Sequence, residues 1–286
     1  MGWCSIYPEI LPVEVLNVKI QGKTALVTGA SRGIGQAIAF ELAKHGITRL
    51  LLLARNEQRL AEIAIDIVAM GVEVIPLVVD LTDRVRVNVV VSQAWRDYGQ
   101  IHLLVNCAGV AHQAPFLQSK LPDVQEEIEI NLLGMYTITR LIARRMVSQR
   151  EGTIVNVASL MGKVAAPTMS TYSATKFAIL GFTQALRGEL ASHNVRVISL
   201  LPSLTDTDMV RDLQLFWGVL PMSPQRVAQA LIRGIERNDR EIIIGWQSYL
   251  AVWGNYLVPR LVERAIQLAA PLPSRNNSWL KLGFRG

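Results

Sequence analysis

Tyr172 and Lys176 stand four residues apart in Tyr172-Ser-Ala-Thr-Lys176. On a helix that step puts both side chains on one face. A phenol titrates near pH 10 and is a poor acid or base at neutral pH. A neighbouring ammonium favours the phenolate and lowers that value, which suits the pair to proton exchange in carbonyl–alcohol interconversion. The same spacing also fits an ordinary surface pair. Ser159, in Val157-Ala158-Ser159, can donate its hydroxyl to an oxygen on which charge develops, or can simply form a turn. Asn131 falls inside a helical stretch, although asparagine is a weak helix former. That points either to a hydrogen-bonding task or to a solvent-facing polar residue.

A second cluster is the stretch TGASRGIG at residues 28–35. Residues 24–27 before it read as a buried strand, and Ile34, Ala37, Ile38 and Leu42 after it recur at helical spacing. Gly29, Gly33 and Gly35 leave room for a tight turn and a close approach. The following helix start offers free N–H groups and a positive dipole end to a pyrophosphate. The spacing G-x-x-x-G-x-G is one residue longer in its first gap than the common dinucleotide fingerprint. By itself the stretch is also compatible with a plain tight turn.

Further apolar runs at 50–54, 72–79, 101–105, 153–157, 195–200 and 241–244 read as strands. Helices fill the gaps: one capped by Asn56, one capped by Thr82 and running to about Tyr98, one long helix over 124–149, one over 171–192, and one over 224–236 capped by Ser223. Continuous apolar strands alternating with helices predict an α/β, Rossmann-type, doubly wound parallel sheet of about seven strands. Gly29, Asp80, Asn106, Ser159 and Pro202 all fall at carboxyl ends of strands, where such folds bind ligands.

The 286 residues, 50% hydrophobic and 18% charged, suit one large domain with a small appendage. Mean hydropathy is +0.28, which suggests buried strands or an apolar surface. Cys4 and Cys107 suggest no disulfide framework, so a reducing, cytoplasmic setting is the simpler expectation. A net charge of +6 fits solubility or the steering of an anionic ligand. No basic cluster interleaved with aromatics argues for nucleic acid, and no metal site is assigned. No apolar run is long and charge-free enough for a bilayer span, the start lacks a secretion signal, and Ile6 spoils a myristoylation motif.

The expected organisation is a leader over 1–20, broken by Pro8 and Pro12, a catalytic domain over 21–245 with a substrate lid over 203–222, and a helical extension over 246–286. In the extension, Trp246, Tyr249, Leu250, Trp253, Tyr256 and Leu257 recur at helical spacing up to Pro259. Leu261, Val262, Ala265, Leu268 and Ala269 then resume it. This is an amphipathic helix pair or one kinked helix. Pocket lining, subunit packing and peripheral membrane contact all remain open for it, core or subunit packing being the plainest.

TGASRGIG, Asp80, the 106–109 turn, Asn131, Ser159, Tyr172 and Lys176, in that order, resemble the short-chain dehydrogenase/reductase superfamily over about residues 20–245. The resemblance implies a catalytic tetrad of Asn131, Ser159, Tyr172 and Lys176. Tyr172 would exchange the proton and Ser159 would hold the carbonyl oxygen. Lys176 would bind the nicotinamide ribose and lower the Tyr172 pKa, and Asn131 would anchor a water on a proton path. The implied cofactor-binding set is Gly29, Ser31, Arg32, Gly33, Ile34 and Gly35 in the turn; Arg55, Asp80 and Leu81 beyond the second and third strands; Asn106, Ala108 and Gly109 beyond the fourth; and Tyr172, Lys176, Pro202 and Thr207. In that set Asp80 would meet the adenine, Asn106 would brace the central strands, and Thr207 would orient the nicotinamide amide. Ser203 departs from a glycine of the family pattern and leaves the backbone path before the lid open. Cys107 stands where asparagine is common, a tolerable change.

The second strand ends Leu53-Ala54-Arg55, with no acid before Glu57. A carboxylate there would bind the ribose diol and repel a 2′-phosphate, whereas Arg55 and Arg32 suit the phosphate. NADP(H) is therefore expected over NAD(H), which stays possible; alternatively, Arg55 simply faces solvent. Met209, Val210, Leu213, Leu215, Phe216, Trp217 and Leu220 make the lid apolar, which fits a greasy ketone or a lid that packs on its own core. A 3-oxoacyl group on acyl carrier protein is one such substrate. The KFAILGFTQALRGEL stretch looks more like a carbonyl, steroid or keto-sphingoid reductase. The resemblance also implies a homodimer or homotetramer. A rival from another class is a non-catalytic NADP(H)-sensing protein acting through its tail on a membrane or partner; the intact tetrad argues against it.

Overall fold

The structure is a computed structural model and describes residues 20–211 and 213–271. The expectations for the leader, for Cys4 and for the last part of the extension fall outside the described residues. Seven strands form one parallel sheet: β1 (Thr24–Thr28), β2 (Arg49–Ala54), β3 (Glu73–Val78), β4 (Leu103–Asn106), β5 (Gly152–Val157), β6 (Val195–Leu201) and β7 (Glu241–Ile243). Their order is β3-β2-β1-β4-β5-β6-β7, so the direction of winding reverses between β1 and β4. A crevice opens at that switch point, beyond the strand ends.

Strand periodicity divides the apolar side chains between two cores. Along β2, Leu50 and Leu52 point to one face and Leu51 and Leu53 to the other. The first face is covered by α1 (Gly33–Lys44), α2 (Glu57–Val68) and α8 (Pro224–Glu236), through residues such as Leu42, Leu60 and Leu231. The second is covered by α3 (Arg84–Tyr98) and α5 (Met135–Gln149), through Val87, Val91, Ile138 and Ile142, with the end of α6 (Ser170–Leu190). Burial on both faces is why the strands read as unbroken apolar runs.

Asn56 and Ser223 cap their helices as expected, accepting from Arg59 N at 2.9 Å and Arg226 N at 3.3 Å. Two helix expectations need correction. The cap of α3 is Asp83, which accepts from Arg86 N at 2.9 Å. Thr82 sits one residue earlier, in the turn, where its N–H and its hydroxyl both donate to Asp80 Oδ1, each at 2.9 Å. The stretch over 124–149 is not one helix. It begins as α4 (Leu121–Ile128), widens into a π-helical segment (Glu129–Gly134), and continues as α5. Gly134 lies against Leu81 there, where a Cβ would stand 2.9 Å from the leucine Cβ.

A short helix, α7 (Asp208–Arg211), begins the lid, and a single bridge between Thr205 and Met222 closes the lid's base. Among the described residues the extension forms a pair, α9 (Trp246–Leu257) and α10 (Pro259–Ala269), with Pro259 in the first turn of the second. Trp217 N donates to Ala269 O at 2.9 Å, tying lid to extension. Asn255 Nδ2 donates to Lys163 O at 3.1 Å, tying the extension to the body. Trp246, Trp253, Tyr256, Leu257, Leu261 and Leu268 are exposed. Among the described residues, no helix is long and apolar enough to cross a membrane.

Candidate active site

The glycine turn is held by sterics that admit no side chain. Gly29 has φ +66°, and a Cβ there would lie 2.7 Å from Ala108 Cα. At Gly35 a Cβ would lie 2.3 Å from Gly29 O, so α1 starts directly against the turn. Thr28, the last residue of β1, draws the neighbouring loop in: its Oγ1 accepts from Cys107 N at 3.0 Å and Ala108 N at 3.1 Å. No spacing in the sequence marks that role. Arg32 provides no side-chain cap to α1, and the first turn holds no acid. The first N–H groups of the helix therefore remain free for an anion.

A cleft of ≈ 810 Å³ runs from Gly29 and Ile34 past Arg55, Asp80 and Leu81 to Ser159, Tyr172 and Lys176, and on beneath the lid at Met209, Leu213 and Phe216. Ser31, Arg32, Gly33, Ala108, Gly109, Pro202 and Thr207 line it as well. Its length, its free helix N-terminus and its basic rim fit a dinucleotide. Asn106 and Asn131 do not line it. Asn106 is buried in the sheet instead, donating to Thr139 Oγ1 and Asn156 Oδ1, both at 2.8 Å. Its place is that of a brace between β4, β5 and α5, which corrects its inclusion among cofactor contacts. Ser203 has no left-handed backbone, so the serine sits where glycine's freedom is not required.

Asn131 turns inward from the π segment and clamps the backbone of Val110. Its Oδ1 accepts from Val110 N at 2.8 Å, and its Nδ2 donates to Val110 O at 2.9 Å and to Thr175 Oγ1 at 3.2 Å. Gly109 closes the gap between Asn131 and Lys176: a Cβ there would meet Asn131 Oδ1 at 3.1 Å and Lys176 Nζ at 3.7 Å. Lys176 Nζ donates to Val157 O at 3.0 Å and lies 5.4 Å from the Tyr172 ring centre. Ser159 ends β5 by capping the turn over Leu160–Gly162, accepting from Met161 N at 3.1 Å.

The electrostatics differ from the sequence expectation. Burial pushes the Tyr172 phenol up to about 12; the Ser159 hydroxyl draws it partly back, while Glu127 and Cys107 push it further up. Burial pulls the Lys176 ammonium down to about 8. Desolvation thus raises the phenol where the sequence led us to expect Lys176 to lower it. Burial also pushes the Cys107 thiol up to about 12 and keeps it neutral. Glu127, which sequence reasoning missed, is 1% exposed, raised by burial, and accepts from His112 N at 2.6 Å.

At the opposite end of the cleft, Arg55 Nη1 lies 3.5 Å from Asp80 Oδ2 and 3.8 Å from Glu126 Oε1. Burial opposes ionisation of Asp80, but the two Thr82 bonds and Arg55 hold its carboxyl below the usual range. Arg59, also missed from the sequence, joins Arg55 on this rim.

The short chain dehydrogenase family profile matches residues 23–216. A 3-oxoacyl-[acyl-carrier-protein] reductase of Synechocystis sp. is 34% identical over 194 residues, 68% of this chain and 78% of that protein. The fold is similar to a short chain dehydrogenase from Burkholderia cenocepacia in complex with NADP, with TM-score 0.76, 29% identity, and coverage of 89% of this chain and 100% of that one. It is similar also to a short chain dehydrogenase/reductase from Burkholderia phymatum in complex with NAD, with TM-score 0.76, 25% identity, and coverage of 90% and 99%. Fold and cleft define a nicotinamide-dependent oxidoreductase with a Rossmann-type sheet. The chain belongs to the short-chain dehydrogenase/reductase family and acts on CH–OH/C=O groups.

Proposed function

We propose that this enzyme is an NADPH-dependent reductase that converts an apolar ketone to a secondary alcohol. The observation that carries the reading is one continuous cleft, with Arg32, Arg55 and Arg59 at one end and Tyr172 under Leu213, Phe216 and Val219 at the other. The guanidiniums suit a 2′-phosphate, and the cofactor, when bound, supplies the hydride. Ser159 holds the carbonyl oxygen, and Tyr172, protonated at neutral pH, gives it a proton. Lys176, beside the face of the phenol, would hold the nicotinamide ribose, and Asn131, which fixes the Val110 backbone, would anchor a water on the proton path. The lid over 203–222 excludes water from the ketone.

The apolar lining supports 3-oxoacyl, steroid-like and other long-chain carbonyl compounds; a 3-oxoacyl group on acyl carrier protein is the specific form suggested by the Synechocystis relative. The exposed aromatic face of α9 supports a further role for the extension in membrane or subunit contact, in a homodimer or homotetramer. Incubation of purified protein with NADPH and a panel of long-chain ketones, followed at the nicotinamide absorbance, tests the reading. Turnover of apolar ketones is expected. Tight NADPH binding with no turnover on any of them would replace the reductase with the cofactor-sensing alternative.

A further inference from the structure

The first residue of the lid helix, Asp208, directly follows Thr207 and reaches across the cleft mouth to the basic rim. Its Oδ2 accepts from Arg59 Nη1 at 3.0 Å and lies 3.8 Å from Arg32 Nη1. Its Oδ1 lies 3.0 Å from Arg211 Nη1, three residues on along the same helix. Arg59 belongs to α2 and Arg32 to the glycine turn, so one carboxylate joins three separate parts of the fold. The Arg59 hydrogen bond, with Arg211 and Arg32 beside it, holds the Asp208 carboxyl below its usual range, so it is fully charged at neutral pH. Arg59, Arg32 and Asp208 also line the same cleft as Arg55 and Asn56, at the end of β2 where a ribose hydroxyl or its phosphate is read.

A carboxylate on a guanidinium presents the geometry of a phosphate in the same place. We propose that Asp208 is a specificity-determining residue whose carboxylate competes with a 2′-phosphate for Arg59 and Arg32, so that the phosphate releases the lid from the rim. The proposal rests on the NADP(H) reading above and deepens it. With the phosphate on Arg59 and Arg32, Asp208 retains Arg211, which travels with it, and α7 moves as a unit carrying its own counter-ion while Gln214 and Trp217 stay held by Gln113 and Ala269. With no phosphate on the ribose, Asp208 stays on Arg59 and the lid stays latched. The chain would then read its cofactor at two places: at the rim, by charge, and at the lid, by release.

The test uses adenosine 2′,5′-bisphosphate and 5′-AMP, which reach the rim but carry no nicotinamide to order the lid. Calorimetry gives the affinities, and amide hydrogen exchange of α7 over 208–211 gives the state of the latch. In the wild type, the bisphosphate is expected to bind more tightly than AMP and to speed exchange of the lid, while AMP does neither. Asp208→Asn should tighten the bisphosphate by about fivefold, the scale of one exposed charge contact, and leave AMP unchanged. Its lid should exchange fast with or without ligand. Arg59→Gln should free the lid in the same way but weaken the bisphosphate. If the wild type does not prefer the bisphosphate, the NADP(H) reading fails and takes this one with it. If the preference stands but Asp208→Asn alters neither the affinity ratio nor the exchange, the competition is refuted and the cofactor reading survives.

Discussion

The Lys176 ammonium lies 5.4 Å from the centre of the Tyr172 ring, with a hydrogen bond to Val157 O at 3.0 Å. It therefore borders the face of the phenol while the backbone of β5 fixes its position. The pair is organised by burial, and each group is held toward its neutral form, with Tyr172 pushed up to about 12 and Lys176 pulled down to about 8.

Tyr172→Phe removes the proton donor and keeps the ring against Lys176. Turnover should fall by roughly 10²–10⁴-fold or more, the share carried by positioned acid–base groups, with NADPH affinity within about twofold. Steady-state kinetics and a fluorescence titration of bound NADPH check the two halves. Full activity in the variant removes Tyr172 from the mechanism.

The Lys176 shift makes a claim about stability. Its folded pKa of about 8 lies below the model-compound value of 10.5, so between those pH values the unfolded chain binds more protons. Stability contributed at this site must therefore rise with pH across that window, by at most about 1.4 kcal/mol per pH unit. Tyr172 acts in the opposite sense above pH 10, where its raised value of about 12 makes the folded chain bind more protons. Urea unfolding of wild type and Lys176→Met between pH 7.5 and 10 should show the wild type gaining relative to the variant as pH rises. A constant difference would mean that Lys176 is not desolvated.

Arg55→Asp places a third carboxylate beside Asp80 and Glu126, at 3.5 and 3.8 Å from the present guanidinium. The NADPH-to-NADH ratio of kcat/KM should drop by roughly tenfold or more, as expected for losing one charge-assisted phosphate contact. An unchanged ratio would leave Arg55 as a solvent-facing residue tied to its two acids.

Gly35→Ala drives a methyl to 2.3 Å from Gly29 O, a backbone atom that cannot swing aside. The expected cost is about 1–3 kcal/mol of stability, with loss of cofactor binding as the turn opens. Thermal melts with and without NADPH measure both. The same change at Gly188, a helical position without a left-handed backbone where a Cβ meets nothing within 4 Å, supplies the control.

Periodicity and turn chemistry made the sheet legible. The leucines of β2 alternate between two cores, and Asn56 and Ser223 announce their helices by local hydrogen bonds. The site was legible where the chemistry sits in side chains at fixed spacing, as in Tyr172 and Lys176. It was not legible where partners are distant: Arg59 and Asp208 meet across 149 residues of chain. Nor could the Asn131 clamp be read, since its partner is a backbone, and any residue at 110 except proline offers the same N–H and C=O. Glu127 sits among Glu126 and Glu129 in what looks like a solvated acidic run, yet it is buried against His112. The missed phenol shift has the same origin, because a sequence names a neighbouring charge but not the depth at which it lies.

The buried positions Glu127, Asn131, Met135, Thr139 and Ala143 recur every four residues through the π segment. A uniform α-helix advances about 100° per residue, so each such step overshoots a full circle by about 40°. The wider loop at Glu129–Gly134 absorbs that drift and resets the phase of the helix midway. Removing one residue there would let the segment close into an ordinary α-helix and leave the faces downstream where they are, whereas removing one residue from α5 would turn everything beyond it by about 100°. The surplus residue is thus a reserve of one position in a helix whose length is otherwise fixed by what Asn131 and Thr139 must reach.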